Sequence, residues 1–335
     1  MDVPPEVLAA KNETETFLLG LPGVVGVGVG LREENGEIFD ELAIRVLVDD
    51  AERLPEELPT ELAGVGVCVI ETQIRACSIP DVVRHDELLG GIRILQPSQP
   101  FGIGTLGALV KDNETGELLG LTCFHVTGIP FQSFPDVIWQ PDHPPFTGGA
   151  VDPNDALGRV VRVDFPQTVP LPGSPVLVGM TDSAVFSLDN ARVPAAGRTF
   201  SRAIAGDDTL LPNLTDAITA TAGPDAKAFV VKRGFQTGVR HGIVLDAHLR
   251  CAWAPGGPNT HLVDQIEILG RDGAIFAEDG DSGSLVVVDG EPSTAVGLLW
   301  GMSQKSRTSQ LAPGRKGYLS PIAAVEAKLG ISVVA

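Results

Sequence analysis

Cysteine is scarce in this 335-residue chain. There are four, Cys68, Cys77, Cys123 and Cys251, with no CxxC pair and no metal-ligand spacing among them. Positive charge is also short: Lys and Arg total 24 against 43 Asp and Glu, a net charge of −19. Such a chain repels nucleic acid and anionic membrane at long range, so neither is expected as a partner. The acidic residues are spread along the chain, which reads as a solubilising surface. No apolar run approaches the ~18 residues of a membrane span. The opening Met1-Asp2-Val3-Pro4-Pro5 lacks the positive region and apolar core of a secretory signal. A cytoplasmic chain with free thiols is therefore expected.

What is present suits a folded domain. Hydrophobic residues make up 43% and charged residues 20%, enough for a substantial core and too few charges for a disordered chain. The length suggests one large domain and one small one. Residues from about 5 to 20 carry a helical pattern, with Val7, Leu8, Phe17, Leu18 and Leu19 among Glu, Lys and Ala. A Gly/Val strand over 24–30, the turn Glu33-Glu34-Asn35-Gly36 and the run 42–48 form a hairpin signal. A short helix over about 51–63 and a strand through 65–70 complete a small α+β domain over residues 1–80.

From about residue 86 to 335 the texture changes. Short apolar runs recur between Gly, Pro, Asp and Asn, as in 106–110, 118–124, 229–231, 266–269, 285–288 and 295–300. Many short strands with turns between them predict a mostly β sandwich or barrel. Ile322, Val325 and Leu329 share one face of a closing helix.

Gly280-Asp281-Ser282-Gly283-Ser284 carries the strongest chemical signal. A nucleophilic serine needs a tight, Gly-flanked turn, so that its Oγ projects and nearby backbone N–H groups converge on a developing oxyanion. Gly280 and Ser282 would supply those N–H groups. His125 ends the apolar run Leu121-Thr122-Cys123-Phe124, and Asp182 opens Ser183-Ala184-Val185-Phe186. Seen alone, each has an ordinary structural explanation: a satisfied core histidine, a turn aspartate, a Gly/Ser turn. Together they run His, Asp, Ser with long gaps, the order of the chymotrypsin-type arrangement and not of α/β hydrolases or subtilisins.

On these residues the chain resembles the trypsin-like serine peptidases, particularly their compact intracellular bacterial members, over roughly residues 90–330. The likeness extends to Gly104-Thr105-Leu106-Gly107, to Lys232-Arg233-Gly234-Phe235-Gln236-Thr237-Gly238, and to Val296-Gly297-Leu298-Leu299-Trp300-Gly301. It implies two six-stranded antiparallel β-barrels with the site between them. In that site Ser282 attacks the carbonyl, His125 shuttles the proton and Asp182 orients the imidazole. It also implies a substrate pocket with Phe276 at its base and Leu299, Trp300 and Gly301 along its wall, with an apolar preference. The implied function is hydrolysis of polypeptide substrates; a catalytically silent binding or scaffold protein on the same fold is the alternative, and an esterase would use the same triad.

Three departures stand out. Cys123 and Phe124 replace the usual small residues before the histidine, Val126 follows it where a cysteine is common, and the N-terminal region has no counterpart in digestive enzymes. Cleavage after Arg84 would free the polar start His85-Asp86-Glu87, which is costly to bury. Asp281 is therefore expected to find an internal donor: a hydroxyl, backbone N–H groups or an Arg. No cofactor or metal is expected. Gly102–Gly107 reads GxGxxG, but a hairpin turn at 112–116 follows where a dinucleotide site needs a helix. Asp142-His143 and His241 lack partners at ligand spacing. His85, His248 and His261 have no evident partner in the sequence. The oligomeric state is not readable.

Overall fold

The computed structural model describes residues 3–34, 36–49, 58–75, 84–86, 88–97, 102–128, 137–141, 152–169, 176–189, 220–221, 223, 226–253, 255, 259–304 and 312–333. The architecture is mostly β. Helix α1 (Pro5–Leu19) leads into strands β1 (Val24–Glu34), β2 (Glu37–Val48), β3 (Glu61–Leu62), β4 (Val65–Glu71) and β5 (Gln73–Arg75). Most of the helix expected over 51–63 lies outside the described residues, and at its end Glu61–Leu62 pair with β4 as strand. β1 and β2 form the expected hairpin, with β4 parallel to β2. The proline at the start of α1 needs no N–H partner there. Val7 and Leu18 are buried against Val27, Val29, Ile44 and Val46.

The first barrel begins with β6 (Arg93–Leu95), β7 (Ile103–Thr105), β8 (Ala108–Asp112) and β9 (Leu118–Thr122). A single turn of helix, α2 (Phe124–Thr127), precedes β10 (Val137–Trp139) and β11 (Ala156–Asp164). The short strands β12 (Gln167–Val169) and β13 (Val176–Gly179) lead to β14 (Ser183–Ser187). The pairing runs β8–β9–β14–β11–β10–β6–β7. The chain passes from β7 through Leu106 and Gly107 directly into β8, so the ring closes with β7 and β8 acting as one bent strand.

The short β15 (Ala220–Thr221) precedes the second barrel: β16 (Phe229–Gly234), β17 (Gly238–Ala252), β18 (Thr260–Gly270), β19 (Leu285–Val288), β20 (Glu291–Gln304) and β21 (Lys316–Pro321). Its order β17–β18–β21–β20–β19–β16, with β16 paired back to β17, is a closed six-stranded antiparallel ring. Helix α3 (Ile322–Leu329) and β22 (Ile331–Ser332) then return to pair with β8. Two such rings, each repeating one strand order, are the trypsin-like double barrel that the sequence resembles.

One connection was invisible in the sequence. β1 pairs with β17, so the N-terminal sheet continues into the second barrel. Behind that seam lies a buried charge cluster. Arg45 bonds the Leu31 carbonyl, Glu33 and Glu267, and Lys316 bonds Glu33. Glu15 of α1 reaches Arg250 of β17 at 3.2 Å. Buried charges of this kind are tolerable only when paired, so each side of the seam requires the other.

Candidate active site

β9 ends at Thr122, whose hydroxyl donates to the Thr105 carbonyl at 2.8 Å. The chain then makes the single turn α2, closed by the Thr127 hydroxyl on the Phe124 carbonyl at 2.9 Å. His125 projects from this turn with a nearly buried ring. Its Nδ1 lies 2.6 Å from Asp182 Oδ2, and its backbone N–H donates to Asp182 Oδ1 at 3.1 Å. Asp182 stands just before β14 and is fully buried. With Asp182 ionised, Nδ1 carries the proton, which leaves Nε2 bare as a base. Nε2 has no hydrogen-bond partner among the described residues.

Ser282 follows the 278–281 turn that leads into β19. Its Oγ donates to the Trp300 carbonyl at 3.4 Å and is not bonded to His125. The two strips of chain nonetheless converge. The Cys123 thiol and the Gly283 N–H both donate to the Leu299 carbonyl, at 3.1 and 2.7 Å. A Cβ on Gly104 would overlap Val126 and crowd the Ser282 carbonyl. Thr105 supports the loop from the first barrel: its N–H donates to the Ser282 carbonyl at 2.7 Å and its hydroxyl to the Gly280 carbonyl at 2.9 Å. The N–H groups of Gly280 and Ser282 have no acceptor among the described residues. Gly280 has φ +110°, where a Cβ would run into Phe235, so only glycine turns this peptide.

Asp281 is completely buried and accepts five donors. Lys232 Nζ reaches Oδ2 at 2.6 Å, the Thr237 hydroxyl at 2.7 Å and the Glu278 N–H at 3.0 Å; the N–H groups of Gln236 and Thr237 reach Oδ1 at 3.2 and 3.1 Å. The expected internal donor is thus a hydroxyl and backbone N–H groups, with a lysine as the cation in place of an arginine. Lys232 carries a sequence signal of this role: it shares the inward face of β16 with Val230, a charge in an apolar strand.

The remaining candidates are placed as follows. Phe276 is wholly buried in the second-barrel core, its ring over Gly242 and Gly317 and its centroid 5.9 Å from Lys232 Nζ. Leu299, Trp300 and Gly301 lie on β20; the Trp300 indole donates to Gln265 at 2.8 Å, and its carbonyl takes the Ser282 hydroxyl. Cys77 and Asp142-His143 lie outside the described residues. His241 sits on the surface, 3.0 Å from Asp289. His261 is largely buried, and burial lowers its pKa to about 4. Cys123, His125 and Asp182 offer donor atoms within 4.8 Å of one another, but these atoms are engaged with each other and with Leu299. The support that Thr105 gives the Ser282 loop has no sign in the sequence, nor has Trp253, whose indole N–H donates to Asp182 Oδ2 at 2.6 Å. Nothing local in Cys251-Ala252-Trp253 announces that contact.

No family model and no curated protein matches the sequence. Among solved structures the chain is similar to a glutamic acid specific serine protease described as using a novel histidine triad in substrate binding. That match has 16% identity and a TM-score of 0.47, and covers 74% of this chain and all of that one. It is also similar to Nocardiopsis protease (14% identity, TM-score 0.45, 73% and 98% covered). A third likeness is to the MamO protease domain from Magnetospirillum magneticum (14% identity, TM-score 0.34, 68% and 87% covered). No helix among the described residues is long and apolar enough to cross a membrane.

Proposed function

We propose that this chain is a serine endopeptidase acting on polypeptides, with Ser282, His125 and Asp182 as its triad. The observation that carries the reading is the fixed pose of His125: one buried carboxylate holds both its ring and its backbone, opposite the glycine-flanked Ser282 loop. In this mechanism the Ser282 hydroxyl must leave the Trp300 carbonyl and turn to Nε2. Oγ then attacks the scissile carbonyl as its proton passes to Nε2. The oxyanion is received by the Gly280 and Ser282 N–H groups, and the imidazolium, stabilised by Asp182, returns the proton to the leaving amine. Water repeats the sequence on the acyl-enzyme, regenerating Ser282 and releasing the acid.

Phe276, buried in the second-barrel core, would lie beneath the pocket floor, with Leu299–Gly301 along its wall. An apolar floor favours an apolar side chain, because a buried Lys or Arg would stay unpaired. The N-terminal region 1–80 is proposed as a structural support for the second barrel, and the cytoplasm as the working compartment.

The second reading is a silent member of the fold. What favours it is Ser282 bonded to Trp300 while Nε2 has no partner. Labelling by a fluorophosphonate probe separates the two readings. The native chain should label and hydrolyse peptides, and Ser282→Ala and His125→Ala should lose roughly 10⁵-fold or more in rate. A native chain that fails to label is a binding protein. Rapid ester turnover with no peptide cleaved at all would make it an esterase.

A further inference from the structure

We propose that Trp253, from the second barrel, is a positioning residue for the Asp182–His125 pair of the first. This rests on the triad reading above and extends it to a fourth residue. Asp182 has no exposed surface, and a buried carboxylate must find donors or take up a proton. Two come from His125, through Nδ1 and the backbone N–H. The third is the Trp253 indole, 2.6 Å from the same Oδ2 that receives the imidazole. A hydrogen bond to a charged acceptor at this length is among the strong ones.

The type of donor matters. An indole N–H is a donor only and cannot give up its proton near neutral pH. It therefore stabilises the carboxylate as an anion without competing for the imidazole proton. A lysine here would neutralise Asp182, and a second histidine would share its proton. By holding Oδ2, Trp253 fixes the line along which Nδ1–H must point, and with it the direction of Nε2.

The placement is equally specific. Trp253 lies just past β17, where its backbone N–H donates to the Thr260 carbonyl at 2.7 Å, pairing the ends of β17 and β18. Its ring is tilted 33° to Phe124 at 6.0 Å, and Phe124 stacks on Phe165 at 4.4 Å. The end of β17 thus reaches from one barrel to the other. Asp182's own N–H donates to Ser320 of β21, also in the second barrel, at 3.2 Å. The acid is held from both barrels, so a shift of one against the other would be felt first at His125.

Buried indoles often find an acceptor for packing reasons alone, so the test reads what packing would not move. Trp253→Phe keeps most of the ring and removes the N–H. Peptide hydrolysis by this variant should show kcat lowered about 10- to 100-fold with KM unchanged, the effect of losing one charge-assisted hydrogen bond. In proton NMR of the native chain, the His125 Nδ1–H should resonate far downfield and show a cross-peak to one ¹⁵N-labelled indole N–H. In Trp253→Phe that indole signal disappears and the downfield proton moves. An unchanged kcat together with an unmoved downfield proton overturns the proposal. So does a native spectrum in which the Nδ1–H has no indole neighbour, a result that stands even if the variant fails to fold. If the native chain proves inactive, the spectra still decide the Trp253–Asp182 contact independently of the peptidase reading.

Discussion

Replacing Lys232 by methionine tests how the Ser282 loop is held. The ammonium and the Asp281 carboxylate are both fully buried, 2.6 Å apart, with the Thr237 hydroxyl bonded to each. Methionine matches the lysine stem in volume, so packing over Phe276 is largely kept and the change is mainly one of charge. Removing one member of a buried pair costs about 3–5 kcal/mol, because the remaining charge stays desolvated. Three backbone N–H groups and the Thr237 hydroxyl still face Asp281, which argues for the lower end. At roughly 1.4 °C per kcal/mol for 335 residues, Lys232→Met should lower the unfolding midpoint by about 4–5 °C. The Gly280 and Ser282 N–H groups flank Asp281, so peptide hydrolysis should fall as well. Scanning calorimetry at one fixed scan rate reads the first effect. The double variant Lys232→Met/Asp281→Asn removes the uncompensated charge and should recover part of the loss. A single variant within about 1 °C of the native midpoint, or a double variant worse than the sum of both singles, would refute the reasoning.

Further expectations follow from the seam and the loop. Asp246 is wholly buried, and burial pushes its pKa up to about 7 against the pull of Arg45. Between about pH 4 and 7 the folded chain then keeps a proton that the unfolded chain releases, so this group's contribution to stability falls by about 1.4 kcal/mol per pH unit and levels off above 7. Urea midpoints of the native chain minus those of Asp246→Asn should decline across that window; a flat difference contradicts it. A chain starting at Leu88 loses Arg45 and Glu33, leaving Lys316 and Glu267 only each other, 3.5 Å apart, and baring an edge of β17. It should aggregate on expression, and a soluble, more active fragment would recast residues 1–80 as an inhibitor. Gly283 has φ +96° and backs onto the Thr105 carbonyl, so Gly283→Ala should lower the thermal midpoint by several degrees and abolish fluorophosphonate labelling.

Much of the outline was legible in one dimension. Alternating apolar runs with Gly and Asp turns determined the strands, because pleat and turn chemistry are local. The apolar stripe of α3 followed the helical period for the same reason, while α1 buries Lys11 beside Val7 and Leu18 and leaves Phe17 exposed. The frames around Ser282, His125 and Asp182 also stood in the sequence, since a strand end and a tight glycine turn are set locally. Tertiary structure alone decided the rest. β1 chose β17 as its partner because an open strand edge satisfies its N–H groups wherever a matching edge lies, and that edge is more than 200 residues away. Lys232 met Asp281, and Trp253 met Asp182, only after barrel closure brought inward faces and strand ends together. Burial strips water from these groups and so dictates that each must have a partner, whereas which partner it is depends on how the two barrels dock.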